Sequence, residues 1–423
     1  MSAGSSVRLP RRSKLPRTFA AFQSPSYRIM WPANFSSLLS RWMQMTLLGW
    51  MVLTLTDSAF LVSLVGFFSL APMLFVGLLS GVLADRFDRL KLLRVTQVVG
   101  FVAGIGMAAI LVMGREEFWH AYVTITLVGS AWALELPTRR SMIHDLVGSG
   151  GVTNAVALDS IGMNASAMVG PALAGVLISQ VDVVGGYVAV VGFSMVSMVL
   201  VWMLRLDIKG RASAARRRMM VDLLVGVRYT LRHRTLLAVV LITIVMNVLF
   251  FPYRFLIPVI ARDVLGVGPD LMGLMDSVAG LGASAGAIAI ASSTNMRRHG
   301  LIFIGGSVLA AVCLMGFSFS KIYLMSLALL LVLGAGTAGF STMQATVVML
   351  VARAGMRGKA LGVISLAIGT SPVGSLIVGA LAERVGAPMA ITIISGVSLS
   401  LLFMIGLLMP SIRAQTRLKG NGE

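Results

Sequence analysis

Apolar runs long enough to cross a bilayer recur along almost the whole of this 423-residue chain, and nothing constrains its fold more. Cutting the chain at its polar breaks leaves runs over residues 31–55, 59–83, 92–113, 119–137, 153–179 and 184–205. A second set covers 236–260, 271–292, 300–319, 322–348, 359–382 and 388–410. Each is close to the roughly 20 residues that a bilayer core requires. In lipid the backbone must satisfy its hydrogen bonds within the segment, which for runs of this length means α-helix. Charged residues make up only 12% of the chain, about half the ~25% usual in a soluble domain. The sequence therefore predicts an all-α polytopic membrane protein with twelve transmembrane helices.

A formal charge of +19 could belong to a nucleic-acid binder, so the placement of the charge has to decide. Most of the 35 Lys and Arg fall in the two tails and in alternate loops. The opposite loops hold only Arg115, Arg262, Lys321 and Arg384. The positive-inside rule then puts both termini and the long central loop in the cytoplasm. The basic charge is a topology signal that also suits anionic lipid head groups, and no nucleic-acid partner is expected. The start, MSAGSSVRLPRRSKLPRTF, lacks the apolar core and cleavage site of a secretory signal and is expected to stay as a cytosolic tail. Cys313 is the single cysteine, and His120, His144, His233 and His299 lack the spacing of a metal pair. No metal, cofactor or catalytic constellation is expected, and an enzyme is disfavoured. A non-transporting scaffold or receptor is a remote alternative, since both tails are short.

Residues 206–235 form the longest polar stretch between runs and divide them six and six. Within it Val221, Leu224, Val225, Val227 and Leu231 alternate with Arg228, Arg232 and Arg234, the pattern of an amphipathic helix lying on the inner leaflet. The expected organisation is a basic tail (1–29), a six-helix bundle (30–206), a linker with an amphipathic helix (207–235), a second six-helix bundle (236–410) and a short tail (411–423). Weak internal similarity suggests that the bundles are pseudo-symmetric copies. Gly170-Pro171 with Ala174-Gly175 in one half answers Ser371-Pro372 with Gly374 and Gly379 in the other.

Ionisable groups within spans are costly and mark function by default. Arg41 lies near the middle of the first run, and Gln44 continues its face. Asn247 is at a similar depth in the seventh run. With Trp132 and Ser341, these residues are the candidate lining of a substrate cavity, where Arg41 would attract an anionic group and Trp132 would stack on a flat one. A lock between helices is the alternative role for Arg41. Asp159 and then Asp276 are the candidates for a carboxyl that couples transport to protons. Gly170 and Pro171 are read as a packing kink or a hinge.

One short polar segment carries more. Gly81-Val-Leu-Ala-Asp85-Arg86-Phe-Asp88-Arg89 separates the second and third runs with two acids and two bases. It resembles the loop motif of the major facilitator superfamily, matching at Gly81, Asp85, Arg86 and Arg89, with Asp88 where the motif has a second Gly. Together with GWMVLTLTDSAF, LPTRRSMIHDLV, NAVALDSIGMNASAMVGPALAG and VGVRYTLRHRTLL, it is most similar to the enterobactin-exporter-like branch, over residues 20–405. The resemblance implies a monomeric secondary transporter that exports a siderophore- or drug-like molecule by alternating access and proton antiport. An importer or facilitator is the alternative. It also implies a cytoplasmic latch, with Asp85 at the helix N-terminus after Arg357 and Arg89 paired with an acid near the fourth span, for which Glu135 is available. The Gly170-Pro171 segment resembles the antiporter motif of drug exporters. The mid-span Arg that many proton antiporters carry in the fourth helix is absent here, and Arg41 is the candidate substitute.

Overall fold

The computed structural model describes residues 17–86, 88–148, 150–205, 219–293 and 298–413, apart from the side chains of 17–18, 75–86, 219–223 and 354. Among these residues there is no strand. The long helices are α1 (Pro25–Thr56), α2 (Ala59–Arg86), α3 (Arg89–Val112), α4 (Phe118–Val147) and α5 (Val152–Met203). The linker helix α6 (Met219–Arg232) and a broken rod starting with α7 (Arg234–Val245) follow. Eight helical stretches of the described residues are long and apolar enough to cross a membrane.

Where the sequence predicts a fifth and a sixth run, α5 passes through both, and its backbone breaks at Val181 and at Asp182 (φ 61°). Asp tolerates the left-handed region, and the Asp182 carboxylate accepts from Val184 N at 2.7 Å, so the break also starts the next helical segment. The rod after α7 is irregular for a chemical reason. Pro252 and Pro258 each remove a backbone donor, and the chain responds with a π turn (Met246–Phe250), a 3-10 segment (Phe251–Leu256), the single turn α8 (Ile257–Val259) and a second π turn (Ile260–Val264). The remaining helices are α9 (Pro269–Ser292), α10 (His299–Phe319), α11 (Tyr323–Val351), α12 (Arg357–Ile368), α13 (Ser371–Val385) and α14 (Ala387–Leu408).

Two packed pairs join the helices before the linker to those after it: α5 on α9, and α2 on α13. Both depend on glycine. A Cβ on Gly175 would stand 2.3 Å from the Pro269 carbonyl oxygen, and one on Gly273 would stand 2.3 Å from that of Pro171. At the other pair a Cβ on Gly379 would stand 2.5 Å from Ser63 Cβ. Such small residues let membrane helices meet backbone to backbone.

The end of the bundle where α1 starts is called the tail end, and the opposite end the far end. The far end is tied shut by polar contacts between sequence-distant segments. Arg262 pairs with Asp57 at 2.6 Å and donates to the Leu53 carbonyl at 3.2 Å. Glu383, at the end of α13, accepts from Ser58 Oγ and Phe60 N, each at 3.0 Å. It thereby satisfies a free N–H in the first turn of α2 and places its charge at the positive end of that helix dipole.

The motif around residue 85 is mostly not a loop. Gly81–Arg86 form the last turns of α2, although their side chains lie outside the described residues. Asp88 caps α3, accepting from Leu90 N at 2.8 Å and Lys91 N at 3.1 Å. This cap gives the Asp at the motif's second Gly position a structural role.

Candidate functional site

Polar residues on α1 recur at 34, 37, 41 and 44, a 3-4-3 spacing that lines one face of a helix. All four border cavities among α1, α3, α4 and α5. The inner cavity is lined by Ser37, Arg41, Gln44, Gln97, Trp132 and Glu135, among others. The second, of about 190 Å³, lies between α1, α4 and α5 and includes Asn34, Trp132, Glu135, Arg139, Arg140 and Asp159. Trp132 and Glu135 belong to both and form the wall between them.

Arg41 is 8% exposed. Its guanidinium carbon lies 4.3 Å from the centre of the Trp132 ring, and Nη2 donates to Ser69 Oγ at 3.1 Å. Nη1 and Gln44 Oε1 are buried without a protein hydrogen-bond partner. Apolar surroundings leave such atoms strongly favoured to bind a polar group that reaches them. The Trp132 ring already holds Arg41 on one side, so a flat ligand would have to use its remaining surface.

One predicted relation needs correction. Arg89 does not pair with Glu135: it contacts Asp145 at 3.0 Å and the Ser141 carbonyl at 3.3 Å. Glu135 is instead buried beside Arg139 at 2.6 Å, one helical turn away on α4, and accepts from Ser37 Oγ at 3.1 Å. The reason is reach. Arg89 starts α3 beside the end of α4, whereas Glu135 lies between two and three helical turns deeper than Asp145. The contact expected between Asp85 and the start of α12 lies outside the described residues, as does the side chain of Arg86.

The five candidate lining residues fall into separate places in this structure. Arg41, Gln44 and Trp132 meet, but Asn247 and Ser341 line none of the three cavities described here. Asn247 is buried, donates to the Thr243 carbonyl at 2.9 Å and accepts from Ser371 Oγ at 2.8 Å, so it joins the irregular rod to α13. Ser341 is exposed on α11. Of the two carboxyls, Asp159 accepts from Asn34 Nδ2 at 3.0 Å and borders the larger cavity. Asp276 stands 3.6 Å from Arg254. Gly170 and Pro171 are buried within a helix that continues past them, with Trp42 pressed against Gly170. Sequence reasoning passed over Asn34 and Ser37, which the 3-4-3 polar stripe on α1 could have brought forward.

The described residues form a helical membrane fold with polar cavities between its helices, an arrangement suited to a membrane transporter. The chain belongs to the family described as transmembrane secretion effector, which matches residues 16–419. It is 24% identical to the staphyloferrin A transporter of Staphylococcus aureus (strain NCTC 8325 / PS 47), over 84% of this chain and 89% of the relative. It is also 26% identical to the uncharacterized MFS-type transporter YfiS of Bacillus subtilis (strain 168), over 59% of each chain. Among solved structures it is similar to a peptide transporter POT (TM-score 0.76, 12% identity, covering 95% of this chain and 99% of that one). It is similar too to a bacterial homolog of the human lysosomal transporter Spinster, in an inward-facing and unoccupied conformation (TM-score 0.70, 12% identity, 96% and 100% covered). At such identities these structures speak for the fold alone.

Proposed function

We propose that this transporter exports a small siderophore- or drug-like molecule by alternating access, driven by proton antiport. The observation that carries the reading is Arg41: a buried guanidinium, stacked on Trp132, with one nitrogen unpaired at a cavity wall. Retaining an incompletely paired cation at this depth costs at least about 2.5–3.5 kcal/mol on insertion scales. A ligand carboxylate or similar anion reaching Nη1 would offset that cost through a charge-assisted hydrogen bond. The relative named for staphyloferrin A transport and the family's description as secretion effectors support the same direction and class of cargo.

In this reading twelve spans form two six-helix bundles, residues 30–206 and 236–410, joined by the linker with α6. The protein works as a monomer in a bacterial inner membrane. The tail end faces the cytoplasm, as the distribution of Lys and Arg indicates, and the contacts at the far end support reading this conformation as inward-facing. The motif at Gly81, Asp85, Arg86 and Arg89 acts as the latch of the opposite state, and Gly170-Pro171 serves as the hinge beside Trp42. Asp159 and Asp276 are the coupling carboxyls to test.

Everted membrane vesicles test direction and cargo together. With staphyloferrin A as the first probe, and other carboxylate and catecholate siderophores after it, uptake should require an inward-acid gradient and collapse with a protonophore. Accumulation by intact cells that is indifferent to pH would instead establish an importer or facilitator.

A further inference from the structure

A third cavity lies between the helices before the linker and those after it, towards the far end. α1, α2 and α5 supply one side of it, and the irregular rod and α9 the other. Among the described residues that line it, Arg254 and Asp276 carry the charge. They sit 3.6 Å apart, beyond hydrogen-bond distance, and Asp276 Oδ1 is buried without a hydrogen-bond partner. The residues that α1, α2 and α5 turn into this cavity, including Trp42, Thr46 and Pro171, are uncharged. Tyr253, next to Arg254 in the chain and buried, is a further titratable side chain beside the pair.

Trp42 connects the pair to the other side. Its ring lies 5.0 Å from the Arg254 guanidinium carbon, across the boundary between the two sets of helices. Behind it, a Cβ on Gly170 would stand 2.6 Å from Trp42 Cβ, so the tryptophan is seated directly against α5, one residue before Pro171. Arg254 itself lies in the 3-10 segment between the two π turns, where the rod's hydrogen-bond pattern changes twice within a few residues. Switches between helix types of this sort recur where a helix must adjust during function.

We infer that Arg254, Asp276 and Trp42 form the centre at which a proton changes the conformation of the transporter. With Asp276 ionised, Arg254 is held between a carboxylate on α9 and an indole on α1, which bridges the boundary and supports far-end closure. When Asp276 takes up a proton the carboxylate becomes a neutral acid and Arg254 keeps its charge. The ion-pair attraction is lost and the bridge is left with the cation–π contact alone, an interaction of about 0.5–2 kcal/mol. Closure that depends on the charged pair is present when the carboxyl is ionised and weakens as acid protonates it. This assignment rests on the transport reading and names a residue whose protonation state sets far-end closure, and it can fail while export stands.

The test needs no substrate. Spin labels are placed at Leu55→Cys and Val385→Cys, both exposed at the far end, in a Cys313→Ser background. Their separation is measured in lipid nanodiscs by pulsed electron resonance from about pH 8 to about pH 5. The unmodified centre should shift towards longer distances on acidification. Asp276→Asn should give the acid distribution throughout, and Asp276→Glu, which keeps a titratable group, should restore the response. Arg254→Gln and Trp42→Ala remove the bridge from its other ends and should flatten the same titration, so a poorly folded D276N would not leave the matter undecided. A pH response in Asp276→Asn or in Arg254→Gln matching that of the unmodified centre would overturn the assignment.

Discussion

Arg41 shows how one residue combines a cost and a use. Its planar fork stacks on Trp132 and donates to Ser69, and its remaining nitrogen has no protein partner. Lysine would keep the charge but lose the stacking surface and the fork. A hydrogen bond to a charged group contributes about 1.5–3 kcal/mol, so Arg41→Ala should reduce vesicle transport by about tenfold or more at unchanged protein abundance. Arg41→Lys should recover only part of it, and normal transport by both variants would remove Arg41 from the site. This residue was legible in the sequence because a lone base in an apolar run is conspicuous. Its partners were not. Ser69 is 28 residues away, and Trp132 meets Arg41 only because α1 and α4 pack together. Glu135 gives the converse lesson: its neighbour Arg139 is four residues on in the same helix, and the local pairing prevails over the one with Arg89 that the resemblance implied.

At the level of elements, the far-end tie between α13 and α2 is the clearest finding that sequence reading did not supply. Glu383 looks like one more interfacial acid until α2 is placed beside it, because a helix N-terminus attracts an anion only from within about one turn. If the Asp85 latch proposed for the tail end holds, the two ties would be reciprocal, each helix capping the other's partner segment at opposite ends. Charges at a helix N-terminus are worth roughly 0.3–1 kcal/mol at exposed sites, so Glu383→Ala should raise the open fraction of the far end by about two- to fivefold. Ser63 is buried where α2 meets Gly379 of α13. The labelling rate of Ser63→Cys by a membrane-impermeant maleimide, with Cys313 replaced by Ser, reads that fraction. A rate that Glu383→Ala leaves unchanged would exclude a role for Glu383 in closure.

Over the whole molecule, the charge asymmetry and the linker work together. The exposed face of α6 mixes Leu224 and Leu231 with Arg228 and Arg232, while Gly226 packs against the Lys359 carbonyl of α12. A helix exposing both apolar and basic side chains suits an anionic leaflet, at about 1 kcal/mol per Arg near the surface. Adding phosphatidylglycerol to detergent-solubilised protein should therefore raise its thermal midpoint, and Arg228→Gln with Arg232→Gln should remove about half of that rise. An equal rise in both proteins would exclude α6 as the lipid contact. The sequence by itself determined that the chain is helical, membrane-embedded and of the major facilitator type. Those properties rest on local hydropathy and on short motifs that survive without knowledge of neighbours. Only the tertiary structure decided that Asp88 is a helix cap, that Arg89 meets Asp145, that Asn247 braces α13, and that Trp42 faces Arg254 between the two sets of helices. Each of these except the cap depends on which helix faces which. In lipid that choice is made by close packing and polar pairing between segments far apart in the chain, and hydropathy carries no record of it.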